Sequence, residues 1–128
     1  MIRNIEIERF SISTLKPFDE VVTVLEAAIG HPNMAEFWRS TERTSSVAEL
    51  ESTIQGALGK ADLMLFVKCD HGSIVRKGTG RDTPRILRFV IGNPLIMKEM
   101  AKHVPDAGSY APVTVLVDER ADGVYLFL

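Results

Sequence analysis

Charged residues separate Ile5, Ile7 and, less cleanly, Phe10 and Ile12 along Ile2 to Ile12. That two-residue period predicts a strand, kinked near Arg9. The period then changes. Phe18, Val21, Val22, Leu25 and Ile29 recur at helical spacing, behind Pro17 and ahead of Gly30. Proline suits a first helical turn and glycine a helix end, so an amphipathic helix is expected there. Within His31 to Thr44, Met34, Phe37 and Trp38 fall on one side of a short helix. Ser46-Val47-Ala48-Glu49 is a capping-box pattern. It opens a helix carrying Val47, Leu50, Ile54, Ala57 and Leu58, closed by Gly59.

The second half is richer in short apolar runs. Leu63 to Val67 predicts a central strand, Asp70-His71-Gly72-Ser73 a turn, and Ile74-Val75 a short further strand. Arg76 to Pro84 is a glycine-containing basic loop, and Ile86 to Ile91 another strand. After Gly92-Asn93-Pro94 a helix follows, with Ile96, Met97, Met100, Ala101 and Val104 on its apolar side. Pro105 to Pro112 forms a loop. Val113 to Val117 and Val124 to Leu128 are strands joined through the hairpin signal Asp122-Gly123. The order β-α-α-β-β-β-α-β-β, with hairpins outnumbering crossovers, predicts an α+β fold. Its sheet is mostly antiparallel, with helices packed on one face.

Composition narrows the function classes. The 128 residues point to a single domain, long enough to bury a core without disulfides. A net charge of −2 gives no global pull toward nucleic acid or an anionic membrane. Cys69 is the sole cysteine, so no internal disulfide forms and a reducing, cytoplasmic setting is expected. No apolar run approaches the ~18–20 residues of a membrane span. The acidic N-terminal stretch does not resemble a signal peptide.

Candidate chemistry is sparse. Asn93 and Pro94 are preferred at a helix start and explain Gly92-Asn93-Pro94 as a cap. The competing reading is an anion held by the free N–H groups of that helix start. Arg76, Lys77, Arg81, Arg85 and Arg88 place five positive charges around Gly78 and Gly80. They read either as a solvated loop or as a site for a phosphorylated or carboxylated small molecule. The absence of interleaved aromatics argues against nucleic acid. Cys69, Asp70 and His71 form the one compact cluster of catalytic residue types. A buried cysteine ahead of a turn competes with a cysteine nucleophile and histidine base, or with His71 as a ligand contact. Cys69 and His71 alone leave a metal site incomplete, because His31 and His103 are distant in sequence. Tyr110 either lines a pocket or covers the core edge. The Met34-Phe37-Trp38 cluster is core or a partner surface, and Met64, Met97 and Met100 read as core fillers.

Four blocks share an order and spacing with a known family. They are Asp70-His71-Gly72, Val90-Ile91-Gly92-Asn93-Pro94-Leu95-Ile96, Tyr110-Ala111-Pro112-Val113-Thr114-Val115-Leu116-Val117 and Asp122-Gly123. Together with Lys16-Pro17-Phe18-Asp19-Glu20-Val21-Val22, they resemble the bacterial domain-of-unknown-function family 302. The resemblance implies a compact α+β fold related to the TATA-binding-protein arrangement, and association into dimers. It implies no activity, substrate or cofactor, and assigns no role to Asp70, His71, Gly92, Asn93, Pro94 or Tyr110. The family usually continues past its last strand into a final helix. Here the sequence stops at Val124-Tyr125-Leu126-Phe127-Leu128, so a second copy is expected to cover part of the sheet.

Three functions stand open. One is a domain binding a small, possibly anionic, molecule, with Asp70, His71, Arg76, Lys77, Arg81, Asn93 and Tyr110 as contacts. The second is an enzyme using Cys69 or His71. The third is a ligand-free dimerisation module. The first requires the loops bearing those residues to converge on a concave pocket.

Overall fold

The computed structural model describes all 128 residues. Its strands are β1 (Ser11–Thr14), β2 (Met64–Asp70), β3 (Ile86–Gly92), β4 (Val113–Arg120) and β5 (Gly123–Phe127). Its helices are α1 (Phe18–Ala28), α2 (Met34–Glu42), α3 (Val47–Gln55), α4 (His71–Thr79) and α5 (Pro94–Ala101), with a 3-10 turn at Pro105–Ser109. The strands form one sheet in the order β1-β5-β4-β3-β2, and every neighbouring pair is antiparallel. No helix is long and apolar enough to cross a membrane.

Alternation along the strands sorts side chains onto two faces. Phe89 lies opposite Val115, and Leu87 opposite Val117, which in turn faces Leu126. These side chains and Val124 make the main core, on which α1 lays Phe18, Val21, Val22 and Leu25. A second cluster of Phe37, Ile54 and Met64 joins α2 and α3 to the start of β2. The other face of the sheet carries Arg88 opposite Leu116, Val90 opposite Thr114, and Tyr125 opposite Asp118.

Gly30 and Gly59 act through close approach. A Cβ on Gly30 would sit 1.8 Å from the Ala57 carbonyl oxygen. The N–H groups of both glycines donate to the Leu63 carbonyl, which locks the helix ends to the entry of β2.

Three segments differ from their sequence patterns. α3 ends at Gln55, so Ala57 and Leu58, expected inside a helix closed by Gly59, lie beyond its end. Ile74-Val75, expected as a short strand after a turn, lies inside α4. The Asp70 carboxylate accepts from the Ser73 N–H at 2.8 Å and starts the helix there. Gly80, at φ +70°, ends it. A pair of β-branched residues has no periodicity of its own, so the caps decide. Half of the expected basic loop is therefore helix, with Arg76 and Lys77 in its last turn. At the N-terminus, the expected strand from Ile2 shrinks to Ser11–Thr14. The last ladder bond runs from the Leu128 N–H to the Phe10 carbonyl, and Ile2 is 95% exposed.

Candidate functional site

The end of β3 and the entry of β4 meet at one end of the sheet. Gly92 makes the meeting close, since a Cβ there would lie 3.0 Å from Cβ of Pro112 and 3.6 Å from the Phe66 ring. Asn93 then turns the chain into α5. Its Oδ1 accepts from the Leu95 N–H at 2.9 Å, and its Nδ2 donates to the Asp62 carbonyl at 3.0 Å. The Ile96 and Met97 N–H groups both donate to the Asn93 carbonyl. Pro94 has no N–H, so every backbone donor of the first turn is satisfied.

Between α5, Trp38 and the Tyr110–Pro112 loop lies a cavity of about 470 Å³. That volume falls in the roughly 300–1,000 Å³ range of small-molecule sites. Phe66 and Ile91 lie at the sheet side, Met97 and Met100 come from α5, and Trp38 and Tyr110 stand at the rim. Trp38 is 52% and Tyr110 56% exposed, so both rings border solvent. The Trp38 ring leans on Phe37 at 5.2 Å and sits 6.4 Å from Phe66. No lining side chain carries a charge, and the Tyr110 hydroxyl is the one titratable group among them. Two hollows of about 550 and 560 Å³ beside α2 and α3 differ in chemistry, with walls of Ser40, Arg43, Thr44, Glu49 and Asn33.

The candidate residues divide between the two ends of the sheet. Asn93 and Tyr110 come together at the cleft. Asp70 ends β2 at the far end of the sheet, and His71, Arg76, Lys77 and Arg81 follow it in the connection to β3. β2 is seven residues long, so the two groups stand about 20 Å apart. Structural roles occupy several of them. Asp70 caps α4 and lies 3.7 Å from Arg76, which donates to the Pro84 carbonyl. Arg85 donates to Glu119 through Nε and Nη2, at 3.0 and 2.6 Å, and through Nη1 to Asp19 at 2.8 Å. It also covers the Phe18 ring at 4.5 Å, tying α1 to the sheet. Those hydrogen bonds from Arg85 hold the Glu119 carboxyl below the ordinary glutamate range. Arg88 donates to Thr114 Oγ1. Cys69 is partly buried on β2 and His71 opens α4. No group of three or more His, Cys, Asp or Glu side chains is placed to hold a metal ion.

The strongest walls of the cleft escaped the sequence reading. Met97 and Met100 read as core fillers, yet Met100 is half-exposed and both line the cavity. In the Met34-Phe37-Trp38 cluster, Phe37 is core while Trp38 turns to the cleft. The exposed tryptophan followed by two methionines on another helix was the available signal, but sequence spacing alone does not join them.

The model of the family "Domain of unknown function DUF302" matches residues 39–127. The chain belongs to the DUF302 family. Its matched region holds Gly92-Asn93-Pro94 and Tyr110-Ala111-Pro112, the two blocks whose contact builds the cleft. The crystal structure of an uncharacterized conserved DUF302 protein from Bacillus stearothermophilus superposes with a TM-score of 0.59 at 9% identity. The match covers 94% of this chain and 71% of the other, and it shows the common fold. No curated protein matches the sequence.

Proposed function

We propose that this DUF302 domain binds a small, largely apolar molecule in the cleft between α5, Trp38 and the Tyr110–Pro112 loop. The observation that carries the reading is the enclosure of about 470 Å³ by apolar walls where the two family blocks pack together. Binding is favoured over catalysis because the cleft presents no carboxylate, imidazole or thiol to act as acid, base or nucleophile. Trp38 is the protein's sole tryptophan and borders the site, so its fluorescence reports occupancy directly. Titration with 1-decanol is expected to shift or quench that emission saturably, and Met97→Glu to abolish the response. A linear, non-saturating response in both proteins contradicts the reading.

A second copy of the chain is the proposed partner. The sheet face opposite α1 leaves Val67 half-exposed and carries the stacked Tyr125 and Phe127 rings, 6.2 Å apart. Five strands at about 4.8 Å spacing offer roughly 400–600 Å² of that face in all, Arg88, Thr114 and Asp118 included. A stable dimer buries about 800 Å² per partner. The exposed Ile5, Ile7 and Phe10 of the N-terminal stretch extend the apolar surface toward that need. Light scattering at micromolar concentration is expected to give twice the chain mass, and a monomer mass at every concentration contradicts the proposal.

A further inference from the structure

We infer that the ligand of this cleft is electrically neutral, an apolar body carrying a single hydrogen-bonding group. This rests on the cleft being a binding site and goes further by fixing the charge class of what it takes.

A helix start beside a cavity ordinarily favours an anion, because three or four free N–H groups and the helix dipole point at it. α5 begins at the cleft wall but offers none of those donors. Pro94 lacks an N–H. The Leu95 N–H goes to Oδ1 of Asn93, and the Ile96 and Met97 N–H groups go to the Asn93 carbonyl. Asn93 is itself immobilised by its bond to the Asp62 carbonyl. An anion entering here would lose its water and gain no donor from the helix.

The side chains agree. Neither a cation nor an anion finds a counter-charge among the lining residues. The basic group of Arg76, Lys77 and Arg81 lies at the opposite end of the sheet, about 20 Å away. An ion buried without a partner is strongly disfavoured, whereas alkyl or aryl surface gains from leaving water. The polar side chains of the lining are uncharged: Asn93 is engaged by the Leu95 N–H and the Asp62 carbonyl, which leaves Tyr110 and Trp38, both bordering solvent. Together they suit one hydroxyl, carbonyl or ether on the solvent side of an otherwise apolar molecule. Met97 and Met100 supply flexible thioether walls that adapt to its shape.

The test compares 1-decanol, decanoate and decylammonium at pH 7.5, read by Trp38 fluorescence on the full chain. The alcohol is expected to bind at least about tenfold more tightly than either ion. Decanoate or decylammonium binding as tightly as the alcohol overturns the inference while leaving the cleft a binding site. Binding by none of the three overturns the site itself, and the inference with it. Asn93→Gly checks the cause. Glycine is the mildest replacement for the cap itself; it frees the Leu95 N–H and also gives up the bond to the Asp62 carbonyl, so urea unfolding of the variant is run beside the titration. In that variant the gap between decanol and decanoate is expected to narrow several-fold. An unchanged gap overturns the role given to the capped helix start.

Discussion

Asn93 and Gly92 show how closely local chemistry and site architecture are joined. The pairing of asparagine with a following proline is readable as a cap directly from the sequence, and the structure shows that cap with Oδ1 on the Leu95 N–H. The reach of the same side chain to the Asp62 carbonyl, 31 residues away in sequence, has no local signature. Gly92 is similar. A glycine at the end of a strand reads as a turn, yet its φ does not lie in the left-handed region. Its requirement is space, because Pro112 and Phe66 occupy the volume of a side chain. Gly92→Ala is therefore expected to push the Tyr110–Pro112 loop outward. Decanol affinity should fall at least about tenfold, while overpacking costs roughly 1–3 kcal/mol of stability. Parallel Trp38 titration and urea unfolding separate the two effects. Unchanged affinity would mean that the loop does not shape the site.

Among the elements, long periodic segments were legible and short ones were decided by their ends. α1 follows from its apolar spacing behind Pro17, and α3 starts where the capping box predicts, with the Ser46 hydroxyl accepting from the Glu49 N–H, but it ends at Gln55, short of Gly59. α4 was hidden because Asp70, in the company of Cys69 and His71, drew a chemical reading while its carboxylate was capping a helix. Likewise Arg85 belonged to a basic segment in sequence, but its partners Asp19 and Glu119 come from α1 and β4. This ionic link has a pH signature. Because Arg85 holds Glu119 below the ordinary glutamate range, the link stabilises the fold above the unfolded-state value near pH 4.3. Its contribution is lost as pH falls through the lower folded-state value. Glu119→Gln should cost about 1–2 kcal/mol at pH 7, since the pair is partly solvated. The difference from the parent protein should shrink toward zero near pH 2. Urea unfolding across that range checks the sign, and a deficit that grows on acidification would contradict it.

Across the whole molecule, the α+β class and the antiparallel sheet were legible, because each strand run is short and hairpin signals separate the last two. The site was legible only in fragments. Asn93 and Tyr110 were singled out, and so was the group around His71, but the apolar run Leu63 to Val67 marks only part of β2, which continues to Asp70 and holds the two groups apart. Sheet order, β1-β5-β4-β3-β2, decides what meets what. It sends the basic residues to one end and the Gly92-Asn93-Pro94 and Tyr110-Ala111-Pro112 blocks to the other. Five methionines provide an internal map of the result. Met97 and Met100 line the cleft, Met64 is fully buried in the second core cluster, Met34 packs against that cluster, and Met1 is exposed. The most direct measurement is the methionine methyl spectrum by 13C NMR during titration with 1-decanol. Saturable shifts confined to Met97 and Met100, with Met1, Met34 and Met64 unmoved, are the predicted result. Shifts absent from Met97 and Met100, or spread equally over all five, would contradict a ligand-binding cleft at this end of the sheet.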